Sequence, residues 1–193
     1  MQSLIEKINT YAQLSDSEIE LLKNSVEKRV YKKGETIFEE GNISEEIYFL
    51  TSGCVRLFYW VEGTDRTAFF YTEGLFFVAG ESFTFNVPAI ENFQAIEESE
   101  IYIFKKDKIE LLLEKISKFE IIARIATENE LITYQKLVAS FVTKSLEERY
   151  VDLLENQAEL FQRVPQQYID SYLGVSPETL SRIKARVINE LSS

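Results

Sequence analysis

A chain of 193 residues that is 45% hydrophobic can bury one large or two small cores, yet it holds no histidine, a single cysteine and a formal net charge of −11. Without histidine it has neither the commonest metal ligand nor the usual general base at neutral pH, and the Ser-His-Asp and Cys-His routes to a nucleophile are closed. Cys54 alone can neither form an internal disulfide nor hold an iron-sulfur cluster, so no catalytic residue, metal site or cofactor is expected. Its place between Gly53 and Val55 in an apparent strand reads as that of a small buried hydrophobe. No apolar run approaches the roughly 18 residues needed to cross a bilayer, and the opening MQSLIEKINTYAQ lacks a signal peptide's apolar core. The expectation is a cytoplasmic protein with no membrane partner.

The chain opens in helical periodicity from Leu4 to about Lys28. Leu4, Ile8 and Tyr11 make one stripe, and Ser15 with Glu18 resembles a capping box opening a helix that carries Ile19, Leu22 and Val26. From Tyr31 to Phe104 the pattern changes to short runs rich in β-branched and aromatic residues. Strands are expected at Thr36–Phe38, Ile47–Leu50, Val55–Trp60, Thr67–Tyr71, Phe93–Ile96 and Ile101–Phe104. Six of the seven glycines punctuate this interval, which suits a compact antiparallel roll. Its phenylalanines at 69, 70, 76, 77, 83, 85 and 93 either fill the roll or line an apolar pocket. In the second case Phe70, Phe76, Gly80, Glu81 and Phe83 are the candidate lining, and the effector is small and apolar or neutral.

Helical periodicity returns after Lys105. Asp107 can cap a short helix with Ile109, Leu112 and Leu113, and a long helix is expected from about Lys118 to Thr143. Within it Ile122, Ile125, Asn129, Ile132, Lys136 and Ala139 follow coiled-coil spacing, and Leu131, Tyr134, Val138 and Phe141 make a second stripe. Two apolar sides imply two partners: the β-roll, and either an identical chain, with Asn129 setting register, or more of the same monomer. Ser145 can cap a further helix, Leu146–Leu154.

The last interpretable stretch, Val164–Val187, reads as two short helices about a sharp turn. Ile169 and Leu173 mark the buried side of the first, and Leu180, Ile183 and Val187 that of the second. Between them Gly174 suits a left-handed helix end, Val175 a corner plug, Ser176 an N-cap and Pro177 a first helical position. This is a helix-turn-helix signature, with Glu178, Ser181 and Arg182 facing outward and Lys184 and Arg186 further along. Charge agrees with position: from Phe161 onward four cations meet three acids, and the surplus of acid lies in the preceding residues. DNA contact would be confined to this end and would gain from dimerisation.

The order of these parts resembles the cyclic-AMP receptor protein/Fnr (Crp/Fnr) family of bacterial transcription regulators. Lys33-Gly34-Glu35, Glu40-Gly41, Tyr48-Phe49-Leu50, Gly53-Cys54-Val55-Arg56, Glu62-Gly63 and Gly74 fall at the family's recurring turns and strands. Leu173-Gly174-Val175-Ser176 and Glu178-Thr179-Leu180-Ser181-Arg182 closely match its reader helix. The resemblance implies an α+β chain: an N-terminal antiparallel β-roll with its helices (1–117), a long dimerisation helix (118–144) and a C-terminal helix-turn-helix domain (145–193). It implies a homodimer on double-stranded DNA and, by resemblance only, contact with RNA polymerase. Pro177, Glu178 and Arg182 would stand at base-facing positions, with Ser176 and Thr179 near phosphate.

The departures also matter. Pro177 has no donor, so a base that arginine reads in some relatives is unread or read by apolar contact here. Asp170 stands where the family usually has Ala or Gly, which implies a local shift or a tilted second helix. Few residues follow Val187, leaving little for a C-terminal wing. Gly80-Glu81 resembles the start of the family's phosphate turn, but from Thr67 to Phe104 there is no Lys or Arg, only acids such as Glu73, Glu81, Glu91, Glu97, Glu98 and Glu100. Coulomb repulsion then opposes a cyclic nucleotide phosphate, and cyclic AMP and cyclic GMP are not expected to bind. The alternative to a DNA-binding regulator is a dimeric ligand-binding or protein-interaction module whose terminal helices dock on protein. A metal-dependent β-barrel enzyme would need a histidine cluster that the chain cannot supply.

Overall fold

The computed structural model describes residues 1–191, and side chains as far as Val187. They pack as two compact units, Met1–Leu57 with Phe70–Leu131, and Phe58–Phe69 with the chain from Ile132 onward. The elements begin with α1 (Gln2–Asn9), α2 (Asp16–Ser25), β1 (Val26–Tyr31), β2 (Thr36–Phe38), β3 (Glu46–Ser52), β4 (Val55–Val61) and β5 (Thr64–Tyr71). Next come β6 (Phe76–Phe77), α3 (Gly80–Phe85), β7 (Asn92–Ala95), β8 (Ser99–Lys105) and α4 (Lys106–Lys115). The long helix α5 (Phe119–Thr143) contributes to both units, and α6 (Leu146–Asn156), α7 (Leu160–Arg163), α8 (Gln166–Leu173) and α9 (Pro177–Leu191) follow. No helix among the described residues is long and apolar enough to cross a membrane.

The strands form two four-stranded sheets, ordered β1-β8-β3-β6 and β2-β7-β4-β5. Successive side chains on a strand face opposite ways, and here both faces of β3 and β8 are covered. Tyr48 pairs with Ile103 and Leu50 with Ile101 on one face, where rings stack: Tyr48, Tyr71 and Phe93 each lie 4.9–5.0 Å from Phe77. Phe49, Tyr102 and Phe104 point the other way, into a second core closed by Leu4, Ile8, Leu22, Leu112 and Ile116 of the flanking helices. Double-sided burial explains why these strands read as continuous apolar runs instead of alternating ones. The Ser15–Glu18 capping box forms, with Ser15 N–H donating to Glu18 Oε2 at 2.7 Å, and Ser145 caps α6 in the same way with Glu148.

Three expectations are corrected. Val26 to Lys28 is strand, not helix: β1 runs along the free edge of β8, Val26 opposite Phe104 and Tyr31 opposite Ser99. Hydrogen bonding to that edge outweighs the mild helix preference of Glu27 and Lys28, and Lys28 pairs with Glu100 at 2.6 Å across the ladder. Asp107 sits inside the first turn of α4, where its charge suits the helix N-terminus, while Lys105 occupies the cap position without a side-chain bond. Ile122 is buried beside Phe119 in the helix-backed core, so it serves its own chain instead of a second copy.

Candidate nucleic-acid interface

The terminal unit is built by local chemistry. Gly174 takes φ +74° and ψ 36° at the end of α8, Val175 N–H bonds back to Asp170 O at 3.0 Å, and Ser176 Oγ accepts from Thr179 N–H at 3.3 Å to start α9. Pro177 opens the new helix, where its missing N–H costs nothing. Ile169, Leu173, Leu180, Ile183 and Val187 are all buried, and Tyr150, Leu153, Leu160 and Val164 complete the core beneath them. The two stripes seen in the sequence therefore meet, and a helix-turn-helix results.

Of the candidate DNA-contacting residues, Ser176, Pro177, Glu178, Ser181, Arg182 and Arg186 are exposed, and Thr179 and Lys184 are half-buried. The cations differ in their freedom. Lys184 Nζ donates to Gln166 Oε1 at 3.1 Å, and Arg186 pairs with Glu147 of α6 at 2.6 Å. Among the described residues Arg182 makes a single long bond, 3.4 Å from Nε to the Glu178 carbonyl one turn back. Glu178 is held below the usual carboxylate range by backbone N–H at the helix start and by Ser176. The first turns of α9 thus present an ionised acceptor beside a five-donor cation.

Asp170 lies 3% exposed on α8 where it faces α9, and its Oδ1 has no hydrogen-bond partner among the described residues. Desolvation pushes its carboxyl above the ordinary 3.8; Glu178 adds to the rise, and Lys184 and Gln166 oppose it. A raised folded value means the carboxylate is a penalty that is absent below the unfolded value and grows as pH rises through the folded one. Asp170→Ala is expected to stabilise the unit at neutral pH by about 1–2 kcal/mol, or about 4–8 °C per kcal/mol for a unit this small. Thermal melts of both proteins from pH 3 to pH 8 check this: the gain should vanish toward the acid end, and a gain that stays constant with pH would contradict it.

The roll candidates lie on three elements, β5, β6 and α3. Phe70 is buried in β5, Phe76 lines a cleft of about 120 Å³ shared with α1 and α5, and Gly80, Glu81 and Phe83 form α3. Lys106 reaches α3, its ammonium 5.1 Å from the Phe83 ring centroid and donating to the Phe83 carbonyl at 3.0 Å. Phe85 is 70% exposed. The buried Arg56 donates to Gln94 on β7 at 2.9 Å, and since Phe93 beside it enters the ring stack, alternation turns Gln94 and its partner away from the roll interior.

On α5 the exposed apolar residues are Ile121, Leu131, Ile132, Val138, Phe141 and Val142. Ile132 and Ala139 of the expected seam lie on this open side, Ile125 is half-buried, and Asn129 is exposed. The open face is thus turned toward Leu131 and Val138, and Ile122 drops out of it.

Residues 28–116 match the family model of the cyclic nucleotide-binding domain. No curated protein matches the chain in sequence. Among solved structures, FixK2 from Bradyrhizobium japonicum superposes with TM-score 0.70 at 20% identity, over 86% of this chain and 85% of its own. CLP of Xanthomonas campestris, described as a c-di-GMP responsive global regulator, does so with 0.70 at 16% identity, over 91% and 93%. The catabolite activator protein of Thermus thermophilus does so with 0.54 at 21% identity, over 95% and 87%. The roll is thus similar in sequence to the cyclic nucleotide-binding domain over residues 28–116. Roll, long helix and terminal helix-turn-helix together give the chain the fold of the Crp/Fnr regulators.

Proposed function

We propose that the chain is a cytoplasmic, homodimeric transcription regulator that reads an inverted-repeat operator through α9. The observation that carries this reading is the exposed Arg182–Glu178 pair on the first turns of a helix that follows a tight left-handed turn. Arginine can bond guanine O6 and N7, and glutamate can accept from a cytosine amino group. The open apolar face of α5 supports pairing with a second copy, since apolar side chains at helical spacing gain most by covering one another. The roll acts as scaffold or responds to a signal other than cyclic AMP or cyclic GMP. Aromatic rings fill its interior, and the stretch Thr67–Phe104 supplies no cation for a phosphate.

A selection from random double-stranded DNA tests partner and symmetry together. Two-fold symmetry should enrich an inverted repeat whose half-sites lie about one helical turn, roughly 34 Å, apart. No enrichment even at low salt would overturn the reading in favour of a protein-docking module.

A further inference from the structure

The second unit contains a cavity of about 500 Å³ whose walls come from β5, α5, α6 and α8, all within that unit. Three cations line it, Lys136, Lys144 and Arg149, against one acid, Asp152, which is already engaged by Lys144. Arg149 is its unusual member. The guanidinium carbon lies 4.5 Å from the Phe141 ring centroid, and Nε and Nη1 are shut off from water with no hydrogen-bond acceptor among the described residues. Arginine cannot shed its proton at any ordinary pH, so folding alone does not relieve two desolvated donors. Phe69 and Tyr172 add aromatic surface beside the charge, and the volume is that of a small-molecule site.

We infer that this cavity binds a small organic anion, a carboxylate or phosphate on an aromatic or apolar body, with Arg149 as the principal anchor and Lys136 as a second positive charge. The anion supplies the acceptor that Arg149 lacks, and the ring surfaces of Phe69 and Tyr172 take the body. A surplus of positive charge inside a low-dielectric recess concentrates such ligands even in a protein that is acidic overall. Because the walls include α8, on which the reader helix packs, the bound anion would also stiffen the support of that reader. This last consequence rests on the DNA-binding function; the binding site itself does not.

The test is calorimetric titration of the full chain, without DNA, with benzoate and phenyl phosphate, and with benzyl alcohol as the neutral counterpart. At least one anion should bind saturably, and benzyl alcohol should bind at least about tenfold more weakly. Arg149→Gln should lose about tenfold or more in anion affinity, and its melting temperature without ligand should equal or exceed that of the parent, since it removes donors that have no partner. Lys136→Gln, at an exposed position, should weaken binding by a smaller factor with no change in melting. Failure of both anions to bind, or equal affinity in parent and Arg149→Gln, would overturn the inference. If Arg149→Gln fails to fold, Lys136→Gln decides, and an unchanged anion affinity there counts against the site.

Discussion

Gly53→Ala should unfold the roll or leave it barely stable. Gly53 joins β3 to β4 at φ +103°, and a Cβ added there would lie 2.4 Å from Ser99 Oγ, 2.6 Å from Ser99 Cα and 2.7 Å from the Glu98 carbonyl oxygen. The Ser99 hydroxyl could rotate, at the expense of its 2.9 Å bond to the Glu97 carbonyl. The two backbone atoms cannot move without displacing β8, the strand that pairs with both β1 and β3. A left-handed conformation costs an L-residue about 1–2 kcal/mol and overpacking adds about 1–3 kcal/mol, a large part of the 5–15 kcal/mol typical of whole domains. Gly63→Ala is the control: φ is +77°, but nothing lies within 4 Å of the added atom, so only the backbone cost remains. Urea unfolding of the two variants should separate them by at least about 1 kcal/mol, and equal midpoints would show that β8 yields more readily than its pairing suggests.

Arg182→Ala should lower affinity for the selected operator by about 10- to 100-fold, the worth of one bidentate base contact, while affinity for unrelated DNA falls far less. Competition binding at one fixed salt concentration measures both. The salt dependence gives a second criterion, because a lost phosphate contact lowers the slope by about one ion and a lost base contact leaves it nearly unchanged. Equal loss on both DNAs with a shallower slope would make Arg182 a phosphate anchor and leave Glu178 as the remaining reader. Arg182 is the informative residue because Lys184 and Arg186 are already held by Gln166 and Glu147.

These two residues stand at opposite ends of what a sequence can reveal. The exposure of Arg182 was legible: it follows a glycine, a capping serine and a proline within a few positions, and a helix of 3.6 residues per turn then decides which side chains face out. Gly53 was legible as a turn but not as a point of close approach, because Ser99 lies in another strand. Ile122 shows the same limit. With apolar stripes on two sides of α5, periodicity could not say which one the chain's own core would claim, and the flanking helices claimed Ile122.

What the sequence determined by itself were the features set within a few residues. The Ser15–Glu18 and Ser145–Glu148 caps, the left-handed turn at Gly174, the buried faces of α8 and α9, and the order of roll, long helix and helix-turn-helix all follow from short-range sterics and helical spacing. Only the tertiary structure decided the outcomes that depend on distant partners. It paired β1 with β8, covered β3 and β8 on both faces, buried Asp170 with an unmet oxygen, and closed α5, α6 and α8 around the unpartnered donors of Arg149. The physical reason is that burial and hydrogen-bond satisfaction belong to the assembled neighbourhood of a group, which its sequence position does not specify.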